Sequence, residues 1–558
     1  MAYFTMRQSF FLYSYSSVVE ESFNIHKYLQ FLEDSGVGEI LKSVNVKNKN
    51  RGGRPEYNRY DMFATILFGF AFTSGSLRDI ESACKYDTRF ITLMRGKRPH
   101  FTVIGDFIND YIVPYAEEIF GAITRQLVTV LELDLEDVFI DGTKIEADAN
   151  KYKFVWKPTT FHTRLCDKIR TLLSLHGLQS GIPTEGIFSS IIIAKKLSEF
   201  SKLTHGIDGS ENKTLLKQYK QLEDYLEKAL EYEEMEMICG PDRNSYYKTD
   251  HDATAMTLKT DYYAGLGSNM HAAYNAQIAV SKGIVCAYHV SQKRNDITEL
   301  IPTMEQFYRI HQKYPKNLCA DAGYGSLQNY RYLAEHNIKN YVKHQSWEGN
   351  VSGKNPTQYR LNDDNTITCL NGKTGYLTEL EDRHPKKAES VFYKVTGCKN
   401  CQYHKYCKRW QKRKSDNFKI FEVNTELRKY IQEAENNLLS VKGIEIRVNR
   451  SCQAEGSYGV LKQDMRYIRF RRISLPKVTA EYMLTFLGYN IRKLFRFFNG
   501  GLKTTYWQAP KDLQPESFKK PSAKRLSNKA EKKKKKSANQ QAKSSYKYKK
   551  KEKGLIQP

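Results

Sequence analysis

Long hydrophobic runs are missing from this 558-residue chain. A membrane-spanning helix needs ~18 or more consecutive apolar residues. The richest apolar run, Met62 to Phe72, is far shorter and suits a buried helix. The pattern of a secretory leader is also missing. Together these absences lead us to expect a soluble, cytoplasmic protein with no membrane partner. A disulfide framework is lacking too. Cys84, Cys166, Cys239, Cys286, Cys319 and Cys452 are scattered along the sequence, as ordinary thiols of an intracellular chain would be. No internal repeat appears, which excludes a solenoid. Acidic residues are the minority charge: 62 Asp and Glu face 88 Lys and Arg, a formal net charge of +26.

With 40% hydrophobic and 13% aromatic residues, most of the chain can bury a core. Its length exceeds what one core organises, so two to four domains are expected. The positive charge is unevenly spread. Residues 519–558 hold 16 Lys and Arg against two Glu and have almost no aliphatic residues. Such a segment cannot offset its own ordering entropy, and it reads as a disordered arm suited to phosphate backbones. The remainder is still basic, which points to nucleic acid as partner.

Periodicity divides the chain further. The first ~130 residues read as helical. Met62, Phe63, Ile66, Leu67 and Phe70 fall on one helical face, Ser76 and Thr102 are candidate helix caps, and a basic loop, RGKRPHF, spans 95–101. DVFIDG (137–142) then reads as a short strand that ends at its glycine. Helical texture returns over 161–235. Two strands follow at 270–280 and 283–291, joined by a turn at Ser281-Lys282-Gly283. After them come a helix, a strand at 317–325, a helix, and the strand KNYVKH. Without the helical insert this is the element order of an RNase H-like mixed sheet flanked by helices, an α/β fold. The expected divisions are a helical N-terminal DNA-binding domain over 1–132 and a core over 133–344 with a helical insertion at about 155–268. A Cys-bearing inserted subdomain covers 345–425, C-terminal core helices 426–500, and the basic tail 501–558.

Two aspartates stand at strand ends, Asp141 in FIDG and Asp321 in LCADAGYG. Adjacent strands lie ~4.8 Å apart, so two such carboxylates can share a hard cation. Each aspartate alone reads equally as a turn former. Glu455 in RSCQAEGSYGVLKQDMRY offers a third carboxylate. On a regular helix it aligns roughly with Lys462 and Arg466, with Gly459 between. Gly456 and Gly459 each cost roughly 1 kcal/mol inside a helix, which suggests close approach by another group.

These segments, in this order, resemble the DDE transposases of bacterial insertion sequences. GRPEYNRYDMFATILFGFAF, GSLRDIESACKYDTRF and RPHFTVIGDF resemble the helical N-terminal domain of that family. FIDGTKIEADANKYKFVWK resembles the segment bearing the first catalytic Asp, LCADAGYGSLQNY the second, and AEGSYGVLKQDMRYIRFRR the Glu motif. The resemblance runs from about Val19 to Phe498. It implies that Asp141, Asp321 and Glu455 form a catalytic triad holding two Mg²⁺ or Mn²⁺ ions. It also implies DNA partners, namely the element's terminal inverted repeats and target DNA, a homodimer on DNA, and a nucleoid-associated location. The family pattern Y-x2-R-x3-E-x6-K is half kept: Glu455 and Lys462 are in place, but the Tyr and Arg positions hold Val448 and Ser451. Arg447 or Arg450 stands in, and Lys462 and Arg466 complete the expected DNA-binding set. Asp250 and Asp252 read as loop or capping residues and Asp296 as a helix cap. Lys144 and Glu146 read as strand-edge or DNA-facing residues.

The remaining cysteines cluster as C-x28-C-x2-C-x5-C: Cys369, Cys398, Cys401 and Cys407, with His404 nearby. The spacing suits a structural Zn²⁺ site, with free thiols as the alternative. The expected function is metal-dependent DNA cleavage and strand transfer. The alternatives are a catalytically inactive, transposase-derived DNA-binding protein and a nuclease without strand transfer.

Overall fold

The computed structural model describes residues 23–44, 56–204, 213–258, 270–379, 389–409, 416–502 and 506–519, together with Val19, residues 521–523 and Leu526. Most of the basic tail lies outside the described residues.

Helices α1 (Ile25–Asp34), α2 (Val37–Ser43), α3 (Arg59–Phe72), α4 (Leu77–Tyr86), α5 (Thr88–Leu93), α6 (Phe101–Phe107) and α7 (Ala116–Val130) form the N-terminal part. Helix α3 is buried on nearly every side, Ala64 and Phe68 included, so its apolar residues form no single face. Asn58, not a Ser or Thr, caps it through the amides of Tyr60 and Asp61. Ser76 precedes α4 but makes no side-chain cap, and His100 rather than Thr102 caps α6.

The central sheet is mixed. Strand β1 (Asp137–Glu146) pairs antiparallel with β5 (Met270–Ser281) and parallel with β7 (Asn317–Ala320), and β7 pairs parallel with β8 (Lys339–Val342). Strand β6 (Ile284–Ser291) continues the meander beside β5, and β4 (Thr254–Thr257) pairs with the first residues of β5. The spatial order β6-β5-β1-β7-β8 is that of an RNase H-like core. Lys282 and Gly283 both adopt positive φ, the geometry that a two-residue hairpin turn requires. Helices α8 (Thr159–Ser174), α9 (Ser190–Thr204) and α10 (Lys213–Cys239) build a separate small core between the short ribbon strands β2 (Phe154–Trp156) and β3 (Ser245–Tyr247).

Helices α11 (Leu300–His311) and α12 (Leu327–Glu335) join β6 to β7 and β7 to β8. Past α13 (Trp347–Ser352), five strands form a second, antiparallel sheet: β9 (Tyr359–Leu361), β10 (Ile367–Cys369), β11 (Thr374–Leu377), β12 (Ser390–Thr396) and β13 (Phe418–Asn424). The short helix α14 (His404–Cys407) lies between the last two. The chain then returns to the core through α15 (Thr425–Leu439) and α16 (Val441–Arg450). A π-helical turn (Ser451–Glu455), α17 (Gly456–Gly459) and a second π turn (Val460–Asp464) follow, and α18 (Leu475–Phe498) ends the core.

Helix α18 is the element that joins the parts. It packs on β6, α3 and α7, and one continuous apolar cluster runs from Ile25 to Leu494. At its crossing with α3, a Cβ on Gly488 would lie 2.6 Å from the Phe70 carbonyl carbon. Backbone meets backbone there, and only glycine permits it. Asp252 accepts a hydrogen bond from the Leu475 amide at 2.8 Å and so caps α18 from a distant loop.

Candidate active site

Strand β1 does not end at Gly142. It runs on to Glu146, and Asp141 sits in mid-strand. What ends is the partner: parallel pairing with β7 stops at Phe139 and Cys319, so Asp141 emerges beside the C-terminal end of the shorter strand. Gly142 therefore serves packing, not chain exit. A Cβ there would stand 2.4 Å from the Gln277 amide across the ladder.

Asp321 follows β7 directly. Its carboxylate accepts the Gly323 amide at 2.8 Å and caps a short 3₁₀ turn, so it is a turn residue and a cleft residue at once. Glu455 closes the first π turn. Between these carboxylates lies Arg450, buried to 8% side-chain exposure. Its guanidinium donates to Asp141 at 3.2 Å and to Glu455 at 2.9 Å, and Asp321 also stabilises its charge. Burial pushes the Asp141 carboxyl up to about 6. Arg450 opposes the shift, while the charges of Asp321 and Glu455 add to it.

The π turn explains the broken sequence pattern. A regular helix brings residues four apart together, but Arg450 and Glu455 are five apart. The extra residue of a π-helical turn restores their alignment. Lys462 reaches back to Thr143 Oγ1 at 2.5 Å, two residues beyond Asp141. Arg466 departs from the expected stripe: the helical run ends at Asp464, and Arg466 is exposed with φ +51°. Arg447 is engaged elsewhere, donating to Glu516 at 2.6 Å and lying over the Trp347 ring. Nothing in the chain crowds Gly459, and only the Ser451 carbonyl lies near Gly456, so the expected close neighbour is not part of this chain's described residues.

Asp296 is not a helix cap. Its carboxylate faces the same cleft and accepts from Asn275 Nδ2 at 2.8 Å and Gln277 Nε2 at 3.1 Å. Gln277 in turn accepts from the Tyr324 hydroxyl. Asn275 and Gln277 are fully buried, and their period-two placement in the apolar strand AYNAQIAV was the legible sign of a shared polar face. Tyr458 pins the sheet to the helix, its hydroxyl 3.1 Å from the Asp141 carbonyl and 2.9 Å from that of Ala276. Asp250 is buried against the Tyr274 hydroxyl at 2.8 Å. Lys144 lines the cleft, whereas Glu146 turns to His271. The cleft measures about 610 Å³, and Lys343, Arg450 and Lys462 bring positive charge to its walls.

Among the described residues, no three carboxylate, imidazole or thiol groups are drawn together to hold a metal ion. Arg450 accounts for this in the cleft, because its guanidinium occupies the space between Asp141 and Glu455. The residues nonetheless fit a cation: three carboxylates from three elements converge on one fixed positive charge.

A mixed sheet in this order, with carboxylates beside the end of β7 facing a helix-borne glutamate and arginine, resembles an RNase H-like core. Comparison with known families is more specific. Residues 368–495 match the Transposase DDE domain family, and residues 20–110 match the Transposase domain (DUF772) family. The chain thus carries a match to each of two transposase domain families. The DDE match includes Arg450, Glu455 and Lys462 as well as the four clustered cysteines. Asp141 and Asp321 fall outside both matches. No curated protein and no solved structure matches the chain.

Proposed function

We propose that the protein is a transposase that binds the ends of its own insertion sequence, cleaves DNA there and transfers the strand, with Asp141, Asp321 and Glu455 as its catalytic carboxylates. The observation that carries this reading is their convergence on Arg450 in one basic-walled cleft. The buried Asp141 carboxylate needs a compensating charge, and the guanidinium marks where a cation belongs. Asp141, Asp321 and Glu455 would hold Mg²⁺ or Mn²⁺, whose preference is for hard oxygen donors. Two such ions, when bound, polarise the attacking water or 3′-hydroxyl and stabilise the leaving oxygen.

The chain's own residues supply the rest. Asp141 is held by its pairing with Ile278 of β5 and by the Tyr458 hydroxyl on its carbonyl. Asp296 orients Asn275 and Gln277 beneath the cleft. Arg450 Nε is buried with no hydrogen-bond partner, a donor that a phosphate oxygen can satisfy. Lys144, Lys343 and Lys462 then neutralise backbone phosphates along the cleft. The N-terminal helices, with exposed Arg95, Lys97 and Arg98 between α5 and α6, grip the DNA backbone and fix register. Two copies paired on the two ends complete the assembly.

The test is metal-dependent nicking of DNA that carries the element ends. Asp141→Asn, Asp321→Asn and Glu455→Gln are each expected to abolish it while end binding persists. Nicking retained by all three variants would overturn the triad. Wild-type binding without cutting would make the protein a DNA-binding derivative, and cutting without joining would make it a nuclease.

A further inference from the structure

The four clustered cysteines come from three segments that the backbone has already brought together. Cys369 ends β10 and opens a tight turn in which the Gly372 amide donates to the Cys369 carbonyl at 2.9 Å. Cys398 follows β12, its amide bonded to the Asn417 carbonyl at 3.0 Å, and the Cys401 amide turns back on the Cys398 carbonyl. Cys407 ends α14.

Two hydrogen bonds clamp the turns to each other. Lys373 Nζ donates to the Gly397 carbonyl at 2.8 Å, and Gln402 Nε2 donates to Asn371 Oδ1 at 3.0 Å. Cys401 and Cys407 pack together with Leu370, Tyr403, Tyr406 and Leu526, while Cys369 and Cys398 pack at the end of the second sheet.

We infer that Cys369, Cys398, Cys401 and Cys407 form a tetrathiolate site for a structural Zn²⁺, which holds the second sheet and α14 together. The side chains as they stand are not drawn to coordinating distance; it is the backbone that presents all four from clamped turns. A Zn–S bond of about 2.3 Å requires sulfurs about 3.8 Å apart, so metal binding would draw together the side chains of turns already bonded side by side. Four thiolates on Zn²⁺ carry a net charge of −2. The basic surroundings complement it, including Lys408, which is buried to 1% exposure. A reduced intracellular chain has no disulfide to do the same work. The small apolar cluster here is also where the C-terminal segment docks, through Leu526 and a hydrogen bond from the Tyr403 hydroxyl to the Pro521 carbonyl. The metal would therefore also fix the point from which the basic arm departs.

The experiment is elemental analysis of the full chain purified under reducing conditions from zinc-supplemented cells. One zinc per chain is expected, retained in Cys452→Ser and lost in Cys401→Ser and Cys407→Ser. Absence of stoichiometric zinc, or zinc retained by the latter two variants, overturns the assignment. Should those variants fail to fold, the wild type decides. Substitution with Co²⁺ should give sulfur-to-cobalt charge-transfer and tetrahedral d–d bands, and their absence overturns it. None of these readouts depends on DNA cleavage.

Discussion

Asp141 and Arg450 decide the character of the cleft. The aspartate is held above its ordinary range by burial even with a guanidinium in contact, which means that the folded chain retains a proton longer than the unfolded one. The sign follows from linkage. Between the ordinary value of 3.8 and about 6, the native state binds more protons, so stability falls as pH rises through that window. In EDTA, wild type should lose on the order of 2–3 kcal/mol across it relative to Asp141→Asn. Denaturant melts of the two proteins at pH 4 and pH 7 measure this, and a constant difference between them would show that the carboxyl is not raised. At this scale the sequence was partly legible. An aspartate after three apolar residues announces itself, but Asp296 did not, because it lies in a short 3₁₀ turn and its partners Asn275 and Gln277 lie on β5.

The elements carry two further expectations. The π turn at Ser451–Glu455 places Arg450 against Glu455 by accommodating one extra residue. Deleting Cys452, which is exposed, should convert the spacing to the i,i+4 of a regular helix and keep the pair in contact. The deletion variant is therefore expected to retain end-specific nicking, and loss of that activity with a folded circular-dichroism spectrum would show that the turn does more than correct register. The crossing of α3 and α18 makes the other expectation. Gly488→Ala places a methyl against the Phe70 carbonyl, and backbone cannot give way as a side chain can. Overpacking of this kind costs about 1–3 kcal/mol, which thermal unfolding should report as a drop of several degrees. Neither feature was legible from sequence. Helical periodicity does not distinguish α from π over a few residues, and a glycine in a helix does not reveal its neighbour.

For the whole molecule, charge and connectivity matter most. Helix α18 joins the N-terminal helices to the RNase H-like sheet, so parts matched to separate family models share a single apolar cluster. The basic tail is proposed to be a different kind of part, one that would act through charge rather than shape. Removing residues 527–558, which contain 12 Lys and two Glu, should weaken DNA binding and flatten its dependence on salt, because fewer counterions are released. Binding titrations from low to physiological salt measure the slope. An unchanged slope would mean that the tail does not touch DNA.

What the sequence determined by itself was local or cumulative. The order of strands and helices, the surplus of lysine, the C-x2-C knuckle and the aspartate that follows β7 come from side-chain periodicity and composition, which are properties of the chain before it folds. Only the tertiary structure decided what meets what. It carried β1 past Asp141 because β5 is long enough to pair it, placed Arg450 among the carboxylates through a π turn, and drew Asp296 into the cleft through buried amides on β5. Those outcomes depend on which surfaces are packed against one another across hundreds of residues, and no local pattern encodes that distance.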